Sequence, residues 1–214
     1  TYIYQGNQVK YSIQTLLDSI VFSEGNSEET GELVIINDGF VYDANLTYQD
    51  QNNLVGSCSQ KGSIIKETYN GINGNNTLYV YLPYGYDENK RYNIFYLMHG
   101  GGESETTLFG TDVQMQNILD NLIMKGMIEP TIVVTPTFNK CEAATFWNEL
   151  RQSVIPLVEG KYSTYAKSTD LEDLKASRMH RAYGGFSMGG LSAWNVFAHC
   201  LDIVGYHMPL SGNY

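Results

Sequence analysis

Gly184-Gly185-Phe186-Ser187-Met188-Gly189-Gly190 is the stretch that decides the fold. Residues 185–189 fit G-x-S-x-G, a pattern in which serine sits on a sharp turn between a strand and a helix. Gly185 and Gly189 flank Ser187 at −2 and +2, where side chains would collide in so tight a turn. A serine hydroxyl is a poor nucleophile by itself. It needs an exposed position, a base to take its proton and donors for the oxyanion. The turn supplies the position. It also places Ser187 at a helix N-terminus, where the backbone dipole favours negative charge, with the Met188 amide aimed at the oxyanion.

Working upstream, Arg181 to Phe186 reads as the strand that delivers the turn, and Leu191, Trp194, Asn195 and Ala198 mark the helix after it. Tyr92 to Met98 is a near-continuous apolar run, the pattern of a strand buried on both faces of a parallel sheet. It ends in His99-Gly100-Gly101-Gly102, similar to the H-G-G-G element that brings a second oxyanion donor. Gly101 is assigned that role, with Gly100 as the alternative. His99, Gly100 and Gly102 support the turn, as Gly185 and Gly189 support the elbow.

Between these elements, Thr111 to Gln114 reads as a T-x-x-Q capping box. Met115, Ile118, Leu119, Leu122 and Ile123 then repeat at helical spacing until Gly126. Leu78 to Leu82 and Ile132 to Val134 are further strands, and Ile203 to Leu210 is the last. Trp147, Leu150, Val154 and Val158 mark a helix expected to kink near Pro156. Strands alternating with helices predict an α/β fold, a mostly parallel sheet with helices on both faces.

Residues 1–55 differ. Val34-Ile35-Ile36 and Phe40-Val41-Tyr42 are short β-type runs around Asn37-Asp38-Gly39, and no complete domain is visible there. They read as an N-terminal extension or the tail of an upstream module, with 56–214 as the main domain. The formal net charge of −10 over 214 residues argues against nucleic acid or an anionic membrane as partner. No apolar run of about 18 residues is present, so no membrane span is expected. Cys58, Cys141 and Cys200 form no C-x-x-C, so no metal site is expected. Cys58 and Cys141 are the candidate disulfide pair. Cys200 reads as a small packed hydrophobe.

A serine hydrolase of this order places its acid and then its histidine after the serine. Past Ser187 the chain offers only His199, Asp202 and His207. His199 lies at the far end of the following helix, roughly 18 Å away at about 1.5 Å per residue, with Asp202 beside it. His207 reads as a packed strand residue. His180 precedes the Arg181–Phe186 strand, at the opposite edge of the sheet. The acid and the base are therefore expected beyond Tyr214.

V-Y-L-P-Y-G-Y (80–86), Y-N-I-F-Y-L-M-H-G-G-G-E (92–103), I-V-V-T-P-T-F-N (132–139), K-Y-S-T-Y-A (161–166), S-R-M-H-R (177–181), G-G-F-S-M-G-G-L (184–191) and M-P-L-S-G (208–212) together resemble feruloyl esterases of carbohydrate esterase family 1. The likeness runs from about Cys58 to Tyr214. It implies an α/β-hydrolase domain of which residues 56–214 form the N-terminal two-thirds, the C-terminal strands being absent. It implies hydrolysis of ferulate esters on arabinoxylan, or of small ferulate esters, through an acyl-enzyme on Ser187, without cofactor. It further implies a secreted, extracellular or cellulosome-associated protein linked to xylanase, carbohydrate-binding or dockerin modules. Two alternatives stay open: an acetyl-xylan or other carboxylesterase, and a non-catalytic carbohydrate-binding module that kept the elbow.

Overall fold

Four parallel strands form the heart of the sheet, and an antiparallel hairpin extends it on one side. In the computed structural model, which describes residues 54–138 and 140–213, the strands are β1 (Ser63–Gly71), β2 (Gly74–Leu82), β3 (Asn93–Met98), β4 (Thr131–Thr135), β5 (Arg181–Phe186) and β6 (Tyr206–Leu210). Their order is β1-β2-β4-β3-β5-β6. β4, β3, β5 and β6 run parallel, while β1/β2 and β2/β4 pair antiparallel. The described residues belong to one compact unit with limits Tyr48–Tyr214. The short β-type runs at 34–36 and 40–42 lie outside the described residues.

The strand alternation sorts the core into two layers. Val80, Tyr96, Ile132 and Val134 face one way and pack with Phe146, Leu150, Val154 and Val158 and with Ala193 and Val196. Their neighbours Tyr81, Leu97 and Val133 face the other way and meet Leu119. Helices α2 (Phe146–Glu149), α3 (Ile155–Lys161) and α5 (Met188–Cys200) thus cover one face, and α1 (Met115–Met124) covers the other. A short α4 (Leu171–Ala176) leads into β5. This is an α/β-hydrolase arrangement with helices on both faces, as the alternation of elements predicts.

Local expectations fare unevenly. β5 has the bounds read from the sequence. Gly126 closes α1 with φ +66°, its N–H on Ile123 O and the Met127 N–H on Leu122 O, the two bonds of a Schellman turn. The capping box at Thr111–Gln114 does not form. Gln114 itself is the N-cap, at φ 54°, and its Oε1 accepts from Asn117 Nδ2 instead of reaching back to Thr111. The irregularity near Pro156 is a π turn over Leu150–Val154, one turn ahead of the proline. Pro156 has no N–H to give, so the ladder loosens before it.

The proposed Cys58–Cys141 disulfide is absent, since all three cysteines are free. Cys58 Sγ lies against Met124 Sδ and Cys141 Sγ accepts from Asn73 Nδ2, so each thiol has its own neighbours. Cys200 is fully buried at the end of α5, and burial pushes its thiol up to about 11. β1 escapes a sequence reading because only Glu67 and Tyr69 of its nine residues are buried.

Candidate active site

All four parallel strands end on one edge of the sheet, where the crevice of an open α/β sheet binds ligands. β5 ends at Phe186. Ser187 follows at φ 55°, ψ −114°, outside the regions an L-residue favours. Its N–H donates to Leu210 O at 2.9 Å, tying the turn to the end of β6, and its carbonyl accepts from Leu191 N at 3.1 Å inside α5. Ser187 is exposed.

The flanking glycines explain how the turn is held. A Cβ on Gly185 would stand 2.5 Å from Gly189 O. A Cβ on Gly189 would stand 2.6 Å from Met98 O and 2.7 Å from His99 O. Backbone from β3 and from the elbow is therefore in direct contact, and only hydrogen fits at either position.

That contact brings the His99–Gly102 turn to the serine. A Cβ on Gly101 would lie 3.9 Å from Met188 Cβ, so Gly101 and Met188 are neighbours. Gly102 takes φ +77°, a conformation that suits glycine. The Gly100 N–H donates to Glu103 Oε2 at 2.7 Å. Buried His99 fixes the turn from below, with Nδ1 2.7 Å from Gly100 O and Nε2 2.8 Å from Thr137 Oγ1. A carbonyl can only accept, so Nδ1 carries the proton and Nε2 accepts from the threonine hydroxyl. The Gly100 carbonyl and the Gly101 N–H share one peptide plane and point opposite ways. Holding the carbonyl on His99 therefore turns the Gly101 N–H away from the protein interior.

The histidines are all accounted for. His180 stacks on Tyr165, with centroids 3.6 Å apart, and bonds Asn93 Oδ1 at 2.8 Å. His199 stacks on Trp147 at 4.3 Å. His207 pairs with Tyr183 in the register, four strand positions below the serine, roughly 13 Å at about 3.3 Å per residue. Burial holds its imidazole below the ordinary value, and Nε2 bonds Val204 O at 3.2 Å. Asp202 is clasped by Arg151 through two bonds of 2.7 and 2.6 Å. Among the described residues none hydrogen-bonds the Ser187 hydroxyl. No His/Cys/Asp/Glu cluster that could hold a metal occurs among them, and no described helix is long and apolar enough to cross a membrane.

Sequence reasoning missed two supports of this site. Glu103 lies three residues past Gly100, the spacing of a side chain that closes its own turn. Thr137 is brought to His99 only by the pairing of β3 with β4, and no local pattern announces it.

Known proteins of similar sequence and fold accompany this chain. Endo-1,4-beta-xylanase Y of Acetivibrio thermocellus is 60% identical over 178 residues, which is 82% of this chain and 16% of that protein. A feruloyl esterase module from Clostridium thermocellum, solved as a serine-to-alanine mutant complexed with sinapinate, superposes with a TM-score of 0.79 at 60% identity. That match covers 82% of this chain and 63% of that one. A ferulic acid esterase of Anaeromyces mucronatus shares the fold at 24% identity and a TM-score of 0.63, covering 76% of this chain and 64% of that one. This chain thus spans under two-thirds of each relative's length. The family model that matches, over residues 70–213, is Esterase. With two-thirds of the sequence inside that match, elbow included, the chain belongs to the Esterase family of α/β-hydrolases.

Proposed function

We propose that this chain carries the nucleophile and oxyanion half of a serine carboxylesterase that cleaves ferulate and related hydroxycinnamate esters. The observation behind this reading is the exposed Ser187 at φ 55°, with Gly101 seated against Met188. Ser187 Oγ attacks the ester carbonyl, and the Met188 and Gly101 N–H groups receive the oxyanion, the alternative Gly100 N–H being engaged by Glu103 Oε2. Met188 is the first residue of α5, so its N–H has no partner within the helix. The ester C–O bond then breaks, the alcohol leaves with the proton that the general base took from Ser187, and the acyl group rests on Ser187 until water releases it as the free acid and restores the serine hydroxyl. The choice of a hydroxycinnamate over an acetyl group leans on the xylanase Y and sinapinate-bound relatives.

No described histidine reaches Ser187, so this reading places the general base and its acid after Tyr214. Residues 1–55 form an extension or the tail of another module, and 56–214 the first two-thirds of the esterase domain. The natural setting is extracellular breakdown of feruloylated arabinoxylan beside linked xylanase or carbohydrate-binding modules.

The test uses the parent polypeptide extending past Tyr214, assayed on methyl ferulate and on 4-nitrophenyl acetate, with fluorophosphonate labelling of Ser187. Ferulate turnover with labelling at Ser187 supports the reading. Acetate turnover without ferulate turnover would transfer it to an acetyl or general carboxylesterase. No labelling would leave a non-catalytic module.

A further inference from the structure

A second concavity lies on the same edge of the sheet. It encloses about 340 Å³ and is lined by Thr68, Asn75, Asn76, Thr77, Glu105 and Thr137. β2 runs antiparallel to β4, so its start at Gly74–Thr77 lies beside the carboxyl end of β4. From β5, which carries Ser187, to β2 is three steps across the sheet by way of β3 and β4. At about 4.8 Å per step the concavity sits roughly 14 Å from the serine.

Its hydrogen-bonding character follows from partners already engaged. Asn76 is spent, its Nδ2 on Tyr69 Oη and Thr137 O and its Oδ1 on the Thr77 N–H. The Thr77 hydroxyl donates to Glu105 Oε1 at 2.7 Å. The Thr137 hydroxyl gives its proton to His99 and turns only lone pairs outward. What faces the concavity besides is Glu105 Oε2, the Thr137 oxygen, the exposed Thr68 hydroxyl and the exposed Asn75 amide, a set richer in acceptors than in donors and carrying one negative charge. No aromatic, aliphatic or cationic side chain lines the concavity. An aromatic acyl group finds no apolar wall there, and a carboxylate or phosphate meets a carboxylate. One carboxylate among hydroxyls is too little charge for a calcium site. A neutral ligand rich in donating hydroxyls fits all these conditions.

We infer that this concavity is a subsite for the sugar portion of the substrate, holding units on the alcohol side of the ester at a distance from Ser187. The inference rests on the reading of Ser187 as an esterase nucleophile for the word substrate, but not for the binding itself. Thr137 joins the two places, since one hydroxyl braces His99 beneath the oxyanion turn and faces the concavity.

The test is a titration of the isotope-labelled chain with an arabinose-substituted xylo-oligosaccharide that bears no ferulate, followed by amide NMR and calorimetry. Saturable shifts at Thr68, Thr77, Glu105 and Thr137 are expected. Thr68→Val, an exposed strand position where a β-branched residue keeps the fold, and Glu105→Gln should each weaken binding by about fivefold. Shifts confined to other surfaces, shifts produced by calcium chloride and not by the sugar, or unchanged affinity in both variants would overturn the inference. Methyl ferulate turnover by the parent polypeptide without sugar shifts at the concavity sinks the inference alone. Sugar shifts there without turnover by the parent sink only the esterase reading.

Discussion

At Ser187 the backbone is held at φ 55° by a glycine on either side, and the two glycines have no substitute. Gly185→Ala would drive its Cβ into Gly189 backbone, 2.5 Å from the carbonyl oxygen. It is expected to cost about 2–3 kcal/mol, seen as a lower urea midpoint, and to abolish labelling of the serine. Gly101 behaves oppositely. The nearest atom to a Cβ there is Met188 Sδ at 3.8 Å, so Gly101→Ala should fold as the parent does. Gly101→Pro removes the N–H and should lower kcat of the complete esterase about 10²-fold at nearly constant KM. Equal kcat for the two variants would remove Gly101 from the oxyanion site. The elbow was legible in the sequence because its geometry is local: one tight turn forces glycine at fixed offsets. Glu103 was less so, although it too is close, because a glutamate after glycines has many other uses. Thr137 was not legible at all, since its bond to His99 spans 38 residues and exists only once β3 and β4 have paired.

The elements are fastened to one another by charged pairs of two kinds. Arg181, at the start of β5, is 1% exposed and pairs with Glu159 of α3 at 2.5 and 2.7 Å. It also donates to Leu174 O, to Ile203 O and to Ser177 Oγ, while Tyr96 and Thr164 donate to Glu159. Removing one partner strands the other charge in the core. Glu159→Gln is expected to cost about 3–5 kcal/mol by chemical denaturation, more than deletion of any surface pair. In the second kind at least one partner reaches solvent. Arg151 holds the Asp202 carboxyl below its ordinary value by a paired hydrogen bond. Burial pushes Glu67 up, but the bonds from Lys161 and Tyr162 outweigh it and hold that carboxyl below its ordinary value. A carboxyl lowered by folding adds stability above its unfolded pKa and loses it as the pH falls through its folded one. With ordinary values of 4.5 and 3.8 for the two groups, thermal stability should be flat above about pH 5 and decline below it. Glu67→Gln with Asp202→Asn should flatten that acid decline, measured as Tm against pH. Buried strands such as β3 and β4 were legible as apolar runs. β1 and the Glu159–Arg181 pair were not, because one is mostly exposed and the other hides two polar letters in the core.

For the molecule as a whole, the two faces of the sheet are unequally covered. α1 spans β2, β3 and β4 on its face, and beyond it a groove of about 440 Å³ runs past Phe95, Ala182, Met179 and Tyr206. Phe186, Tyr206, Met208 and Leu210 are all exposed. Among the described residues β6 is also the outer strand of the sheet. An apolar, unpaired edge is a template for association. The 1–214 chain is therefore expected to self-associate as concentration rises, read by light scattering, and Met208→Lys should suppress it. The same chain is expected to show only residual ester turnover, because no described base reaches Ser187. Robust hydrolysis by residues 1–214 would return attention to His207. Sequence pattern specified which strands are buried but not which face stays open, since that depends on how far α1 reaches across the sheet.

The bond from the Ser187 N–H to Leu210 O makes the elbow a tenant of that outer strand. Gly190 and Gly212 press backbone on backbone beside it. Outer strands are the first to open locally while the rest of a fold persists. Deuterium uptake at the Ser187 amide should therefore track that of β6 and outpace that of β3 and β4. In the 1–214 chain the Ser187 elbow would then be lost in a local opening, at milder denaturant than the loss of the sheet itself.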